Sequence, residues 1–359
     1  MTLIYTRSPY FISVNETGQT GAKVKLYIWN KYTTEPTTPT YIISKNIPSP
    51  TQTELNFNIS NYVREFIDAI APVVPEYIAD EQNNTWCFVK VERYSIEGGG
   101  DKFVDETTYV ATNGYTKYLD GYNQSTTDTI IPLTNDLQTI YYNRDSGNIP
   151  YINLLFLNSA GTESLDIRWI ELNSSTIIES TGIAEVGDFN YAIALANELI
   201  DYDNGNRLRI INDNTLDIIA TYKVIPICEP KYTPVLCSFI NAKGGWQFLT
   251  FFKAQTNNIN VKGSTYKMMP SALDYNIAQP QTKSFNINGT QSVKLNTGWV
   301  DENYSDIITQ LLLSETVLLD GKPVDVKSQS STLKTSLKDK MINYEIDFDY
   351  AFGLINDVI

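Results

Sequence analysis

Met341-Ile-Asn-Tyr-Glu-Ile-Asp-Phe-Asp-Tyr350 alternates without a break: Ile342, Tyr344, Ile346, Phe348 and Tyr350 fall on one side, Asn343, Glu345, Asp347 and Asp349 on the other. Successive side chains of an extended chain point to opposite faces, so a period of two marks a strand with one dry and one wet face. The same period appears in Lys23-Val-Lys-Leu-Tyr-Ile-Trp29, where Val24, Leu26 and Ile28 share a side, and in Glu54-Leu-Asn-Phe-Asn-Ile59. Working outward, strands are expected at 86–94 and 102–112 around a Gly98-Gly-Gly100 tip, and Asn113-Gly114 is the strongest short hairpin signal in the chain. Between residues 137 and 224 strands are expected at 137–143, 151–157, 164–171, 206–211 and 217–224. Turn residues such as Ser159-Ala-Gly161, Asp203-Asn-Gly205 and Asn212-Asp-Asn214 separate several of them. A further hairpin, 235–241 with 246–253, turns at Gly244-Gly245, and Leu319-Asp-Gly-Lys-Pro323 makes a tight one.

Two helices interrupt this pattern. Ser60-Asn61 is read as the cap of a short one over 62–68 that stops near Pro72. The longer runs from Asp301 to Ser314, with acidic residues at its start as the helix dipole prefers. Its Ile307, Ile308, Leu311 and Leu312 form one apolar stripe, expected to lie on a sheet that includes 246–253 and 341–350. The fold class is therefore mainly β, with two or three antiparallel sandwich-like domains, short helices and one longer C-terminal helix packed on a sheet. At roughly 100 to 200 residues per domain, 359 residues divide naturally in this way. The polar stretch 120–128 reads as a linker, giving domains at 1–125, 126–226 and 227–359. Strands at intervals of about ten residues favour sandwiches.

Composition narrows the function. Forty-one acids against 27 Lys plus Arg leave a net charge of −14, which repels polyphosphate and speaks against specific nucleic-acid binding. No apolar run approaches the ~18 residues of a membrane span. The first ten residues carry no basic leader or apolar block of the signal-peptide kind, so the chain is expected to stay where it is made. Three cysteines are too few for a disulfide framework; Cys228 and Cys237 read as two buried apolar positions rather than a bridge.

The absence of histidine is the most informative count, because His is the usual general base at neutral pH and the commonest metal ligand. Triad hydrolases of the usual kind and zinc proteases drop out together. Gly98-Gly-Gly100 lacks the spacing of a phosphate loop. Asp201-Tyr-Asp-Asn-Gly205 starts like a calcium loop but lacks the sixth-place glycine and the distal glutamate, and reads as a hairpin turn. Acid pairs such as Asp347 and Asp349 are open to glycoside hydrolysis in principle, but a row of acids on a wet strand face is ordinary solubilising surface. No cofactor and no metal are expected, and the chain is read as not being an enzyme.

Tyr27, Trp29, Tyr32, Tyr115, Tyr118 and Tyr122 are the candidate contact residues, read as lying on exposed faces or loops. Tyr and Trp dominate protein interfaces and also stack on sugars. Half-buried sheet tyrosines are the plainer alternative for some of them.

At Cys228-Glu-Pro-Lys-Tyr-Thr-Pro-Val-Leu-Cys237, on through Gly244-Gly-Trp-Gln-Phe-Leu-Thr-Phe-Phe-Lys253, and at Asn296-Thr-Gly-Trp-Val-Asp-Glu-Asn-Tyr304 continuing to Gln310-Leu-Leu-Leu-Ser-Glu315, the chain resembles virion proteins of tailed phages that infect Bacteroidetes hosts, crAss-like podoviruses among them. Looser similarity touches Tyr27-Ile-Trp-Asn30 and Tyr115–Asn123. The resemblance implies a structural subunit of the neck, collar or tail hub, made in the host cytoplasm and carried in the virion. Its partners would be copies of itself in a ring around the DNA channel and other tail or neck proteins. It carries over no active-site residue. A carbohydrate-binding receptor or adhesin module of tail-fibre type is the alternative reading, and a His-free glycoside hydrolase ranks last.

Overall fold

The computed structural model describes residues 1–30, 33–49, 52–68, 78–80, 85–135, 139–143, 150–157, 163–186, 190–194, 204–229, 231–269, 276–328 and 341–356. It is mainly β, 58% strand and 6% helical, as the alternating patterns require. The chain divides into two compact units, Met1–Cys228 with Ser238–Thr250, and Glu229–Cys237 with Phe251–Ile359.

In the first unit a six-stranded sheet runs in the order Tyr41–Asn46, Gly21–Trp29, Trp86–Glu97, Gly100–Thr112, Thr2–Tyr5, Ser125–Thr126. Val24, Leu26, Val89 and Val91 are buried on one face. They pack with Ile12, Val14, Leu55 and Phe57 of a two-stranded ribbon, with Ile59 just before the short helix and with Val63 inside it. The tip between the long strands is a two-residue turn, Glu97 paired with Gly100 and positive φ at Gly98 and Gly99, which only glycine adopts at little cost. The short helix spans Ser60–Arg64, not 62–68, and Ser60 does not cap it. Its hydroxyl instead donates to the Ser8 carbonyl (2.7 Å) and accepts from the Tyr10 amide (2.8 Å), tying the N-terminal segment down.

Two more sheets of this unit face each other as a sandwich. One has the order Ile130–Pro132, Tyr151–Phe156, Asn190–Ala194, Ile78–Asp80; the other Thr139–Asn143, Ile218–Ile227, Asn206–Asn212, Glu163–Glu171, Ile177–Val186. Ile152, Leu154 and Phe156 meet Ile167, Trp169, Leu208, Ile210 and Tyr222 across the gap. The alternate residues Leu155 and Leu157 point the other way, into a second cluster with Leu3, Trp86 and Val110 from the N-terminal sheet. A strand dry on both faces has no reason to alternate, hence the continuous run Tyr151-Ile-Asn-Leu-Leu-Phe156, all buried. That shared cluster, and the pairing of Ile78–Asp80 with Tyr191–Ile193, knit residues 1–125 and 126–226 into one unit. Among the described residues Thr2–Tyr5 with Tyr109–Thr112, and Thr139–Asn143 with Lys223–Ile227, pair in parallel and so depart from the antiparallel pattern.

The Asn113-Gly114 pair does not make a hairpin. Its backbone lies against the turn that joins Val235–Ile240 to Trp246–Phe251: the Tyr115 amide donates to the Ala242 carbonyl (2.7 Å) and the Thr112 hydroxyl to that of Lys243 (2.9 Å). A Cβ on Gly114 would sit 2.5 Å from Tyr5 Cδ1 and 2.6 Å from the Ala242 oxygen. Close backbone approach, and not turn formation, is what the glycine serves.

The second unit carries strands in the order Val317–Leu319, Lys322–Val326, Met341–Gly353, Thr282–Asp301, Thr256–Lys267. Ile342, Tyr344, Ile346 and Phe348 are buried, and the acids between them half-buried or exposed, as the alternation demands. Asp320 and Gly321, both with positive φ, form the two-residue turn expected at 319–323. The helix covers Tyr304–Leu312, shorter than 301–314, because Asp301 ends the long strand opposite Met341. Ile307, Ile308 and Leu311 are buried, whereas Leu312 is only half-buried. Among the described residues no helix is long and apolar enough to cross a membrane.

Candidate functional site

The chain between Thr112 and Ser125 leaves the six-stranded sheet and returns to it, and both limbs are fastened. On the way out, the Arg7 amide donates to the Gly114 carbonyl (3.0 Å), the Thr116 amide donates to the Ser8 hydroxyl (2.8 Å), and the Arg7 guanidinium lies 4.9 Å from the centre of the Tyr115 ring. On the way back, Asn123 in the left-handed conformation brackets Phe11. Its Oδ1 accepts from the Phe11 amide (2.6 Å) and its Nδ2 donates to the Phe11 carbonyl (2.9 Å). The Tyr122 ring meets Phe11 edge to face at 5.5 Å. Between these anchors a single 3₁₀ turn, Tyr118–Asp120, is closed by the Lys117 amide on the Asp120 carboxylate (3.1 Å).

The result is a braced loop with an apolar tip. Tyr118 is 90% exposed, Leu119 94% and Tyr122 64%. A fixed backbone spares the cost of ordering the loop on binding, so burial of each is worth about 1.5 to 3 kcal/mol less about 0.5 to 1.5 for its side-chain freedom.

Of the six candidate aromatics, the fold gathers Tyr115, Tyr118 and Tyr122 here; Tyr115 is half-buried. Tyr27 is a correction, being 7% exposed. Its hydroxyl donates to the Glu92 carboxylate (3.1 Å) and the Lys90 ammonium lies 4.5 Å from its ring centre, so its neighbours cover the side read as wet. Trp29 is half-buried and stacks on Phe88 at 5.3 Å. Tyr32 lies outside the described residues. Leu119 and Phe11 were not singled out in the sequence; a lone leucine inside a polar linker is the signal that would have found the first.

The same unit has a cleft of about 640 Å³ lined by, among others, Tyr5, Asp128, Ile131, Asn212, Asp217 and Lys243. The Thr126 hydroxyl donates to Asp128 (2.9 Å), and the Lys243 ammonium is held on the Pro132 carbonyl (2.8 Å). Burial, and secondarily the Asp128 charge, raise the Tyr5 phenol above its ordinary range, so it is a neutral hydrogen-bonding group at pH 7. Its polar lining combines two acids, an amide, a phenol, an ammonium and three threonine hydroxyls with the apolar Ile130, Ile131, Pro132, Ile218 and Ile219.

Among the described residues no group of three or more His, Cys, Asp or Glu could hold a metal ion. Asp201–Asp203 of the calcium-like stretch fall outside them. None of the three cysteines is in a disulfide. Burial pushes the Cys87 and Cys237 thiols well up, whereas Cys228, expected to be buried, is exposed.

No known family model matches the chain, and no curated protein matches it.

Proposed function

We propose that the chain is a structural subunit of a tailed-phage virion, a ring component of the neck, collar or tail hub that assembles by protein contacts and has no catalytic role. The observation that carries this reading is the braced loop with Tyr118, Leu119 and Tyr122 held out in water. Exposed large apolar groups on a fixed scaffold are a feature of interaction surfaces. The β-rich fold, the resemblance at 228–253 and 296–315, and a net charge of −14 that lets DNA pass without sticking support the same reading. The absence of histidine supports a non-catalytic role. Negative-stain images of the purified chain are the test. Closed rings with a central channel wide enough for duplex DNA are expected, and a field of single particles without such rings would count against it.

A carbohydrate-binding module is the second reading, favoured by the polar cleft at Asp128 and Asp217. A glycan array separates the two: saturable binding lost in Asp128→Asn with Asp217→Asn would establish the second.

A further inference from the structure

We propose that the strand Thr256–Lys267 of one copy adds edge to edge to the strand Ile177–Val186 of a second copy, joining copies of this chain head to tail. The inference deepens the ring reading and rests on it. Among the described residues Thr256–Lys267 is the outermost strand of its sheet and bonds on one side to Thr282–Lys294. All twelve of its residues are exposed, Ile259 by 62% and Val261 by 64%. The next strand, Met341–Gly353, reaches only as far as Thr290. Leu354 and Ile355 then bond to Gly289 and Asn288, so Ser264–Lys267 with Thr282–Phe285 stands as a two-stranded ribbon among the described residues. Such a ribbon is marginally stable alone in water, and a long open edge bearing apolar side chains is one that soluble chains cover or blunt.

Charge selects the occupant. Thr256–Lys267 carries Lys262 and Lys267 and no acid, and Thr282–Gln291 beside it carries Lys283 and no acid, in a chain of net charge −14. Two such ribbons set edge to edge would meet with lysines and no counter-charge, which disfavours pairing of like with like. Among the described residues Ile177–Val186 is another open edge, outermost in its five-stranded sheet and bonded on one side to Glu163–Glu171. Ile177 and Ile178 are exposed, and the strand's sequence holds Glu179 and Glu185 with no base. Adding one edge to the other brings isoleucine and valine together and lysine to glutamate, while the open backbone groups bond to one another. Two different edges make a heterologous contact, the kind that repeats from copy to copy and gives a ring when its rotation closes and a filament when it does not.

The test uses the full chain and reads association by sedimentation velocity and native mass spectrometry. The variants are Lys262→Glu with Lys267→Glu, Glu179→Lys with Glu185→Lys, and the fourfold swap. Each reversal should weaken association at least ~10-fold, the size of one misplaced charge contact, and the swap should restore it. Circular dichroism and the unfolding midpoint should not move, since Lys262, Lys267 and Glu179 are exposed. Should a reversal unfold the chain, Lys262→Gln with Lys267→Gln reads the same contact through a smaller loss. A ring indifferent to both reversals, or not restored by the swap, overturns this pairing and leaves the ring standing. A wild-type chain that stays monomeric at every concentration overturns both.

Discussion

Leu311, Leu312 and Leu313 offer one side chain at three depths: buried, half-buried and 49% exposed at the end of the helix Tyr304–Leu312. Replacing each in turn by Ala removes the same three carbon atoms. At ~0.8 kcal/mol per buried CH₂ the transfer part for Leu311 is about 2.4 kcal/mol. The cavity left behind adds to it, which places the loss near 3 kcal/mol, inside the 2 to 5 seen on average for such truncations. Leu312→Ala should cost about 1 kcal/mol and Leu313→Ala about 0.5 or less. Urea unfolding followed by tryptophan fluorescence reads the series. With a slope of about 2 kcal/mol per molar, Leu311→Ala moves the midpoint down by about 1.5 M and Leu313→Ala by about 0.25 M or less. Asp347→Asn, on the wetter side of Met341–Gly353, should shift it as little as Leu313→Ala. If Leu313→Ala costs as much as Leu311→Ala, the helix is not packed on the face described.

Gly114→Ala should lower the stability of the first unit by about 1 to 3 kcal/mol, because its Cβ meets Tyr5 and the Ala242 carbonyl; calorimetry showing an unchanged midpoint would remove that contact. A thiol reagent at pH 8 should titrate one cysteine in the native chain and three in denaturant. Cys228 is exposed, while the raised Cys87 and Cys237 thiols stay protonated through that pH and out of reach, so three fast native thiols would contradict their burial. Tyr118→Ala with Leu119→Ser should leave the unfolding midpoint within about 0.5 kcal/mol and weaken assembly; a loss of fold without loss of assembly would make the loop a packing element. Polysaccharides and peptidoglycan should show no turnover with the purified chain. Cleavage abolished by Asp128→Asn or Asp217→Asn would move the account to a glycosidase.

Legibility in the sequence followed from one-sided burial. Gly21–Trp29 and Met341–Gly353 alternate because one face of each is dry, and their strands were readable residue by residue. Thr256–Lys267 and Ile177–Val186 were not read as strands. The first is exposed along its whole length and alternates only over Asn258–Lys262, and the second is exposed at Ile177–Ser180, so neither sustains a period of two. Tyr151–Phe156 was readable as a strand but not as the wall shared by two cores, since a continuous apolar run says only that both faces are dry. Asn113-Gly114 and Ser60 were misassigned for a common reason. A glycine that permits close approach and a serine that bonds across 50 residues look locally like a turn and a cap, and their partners are distant in sequence. Of the candidate surface, the tyrosines of 115–122 were legible as a cluster inside a polar stretch. Their bracing by Arg7, Ser8 and Phe11 depends on tertiary contacts that no local pattern encodes.

The central claim is that copies of this chain assemble into a closed ring, and the mass of the purified full-length chain measured without denaturation tests it most directly. The account predicts a single species at a fixed whole-number multiple, above two, of the 40.6 kDa protomer, unchanged on dilution until it dissociates. A 40.6 kDa monomer that persists from dilute to concentrated solution, or a ladder of open multimers without a preferred number, would contradict it.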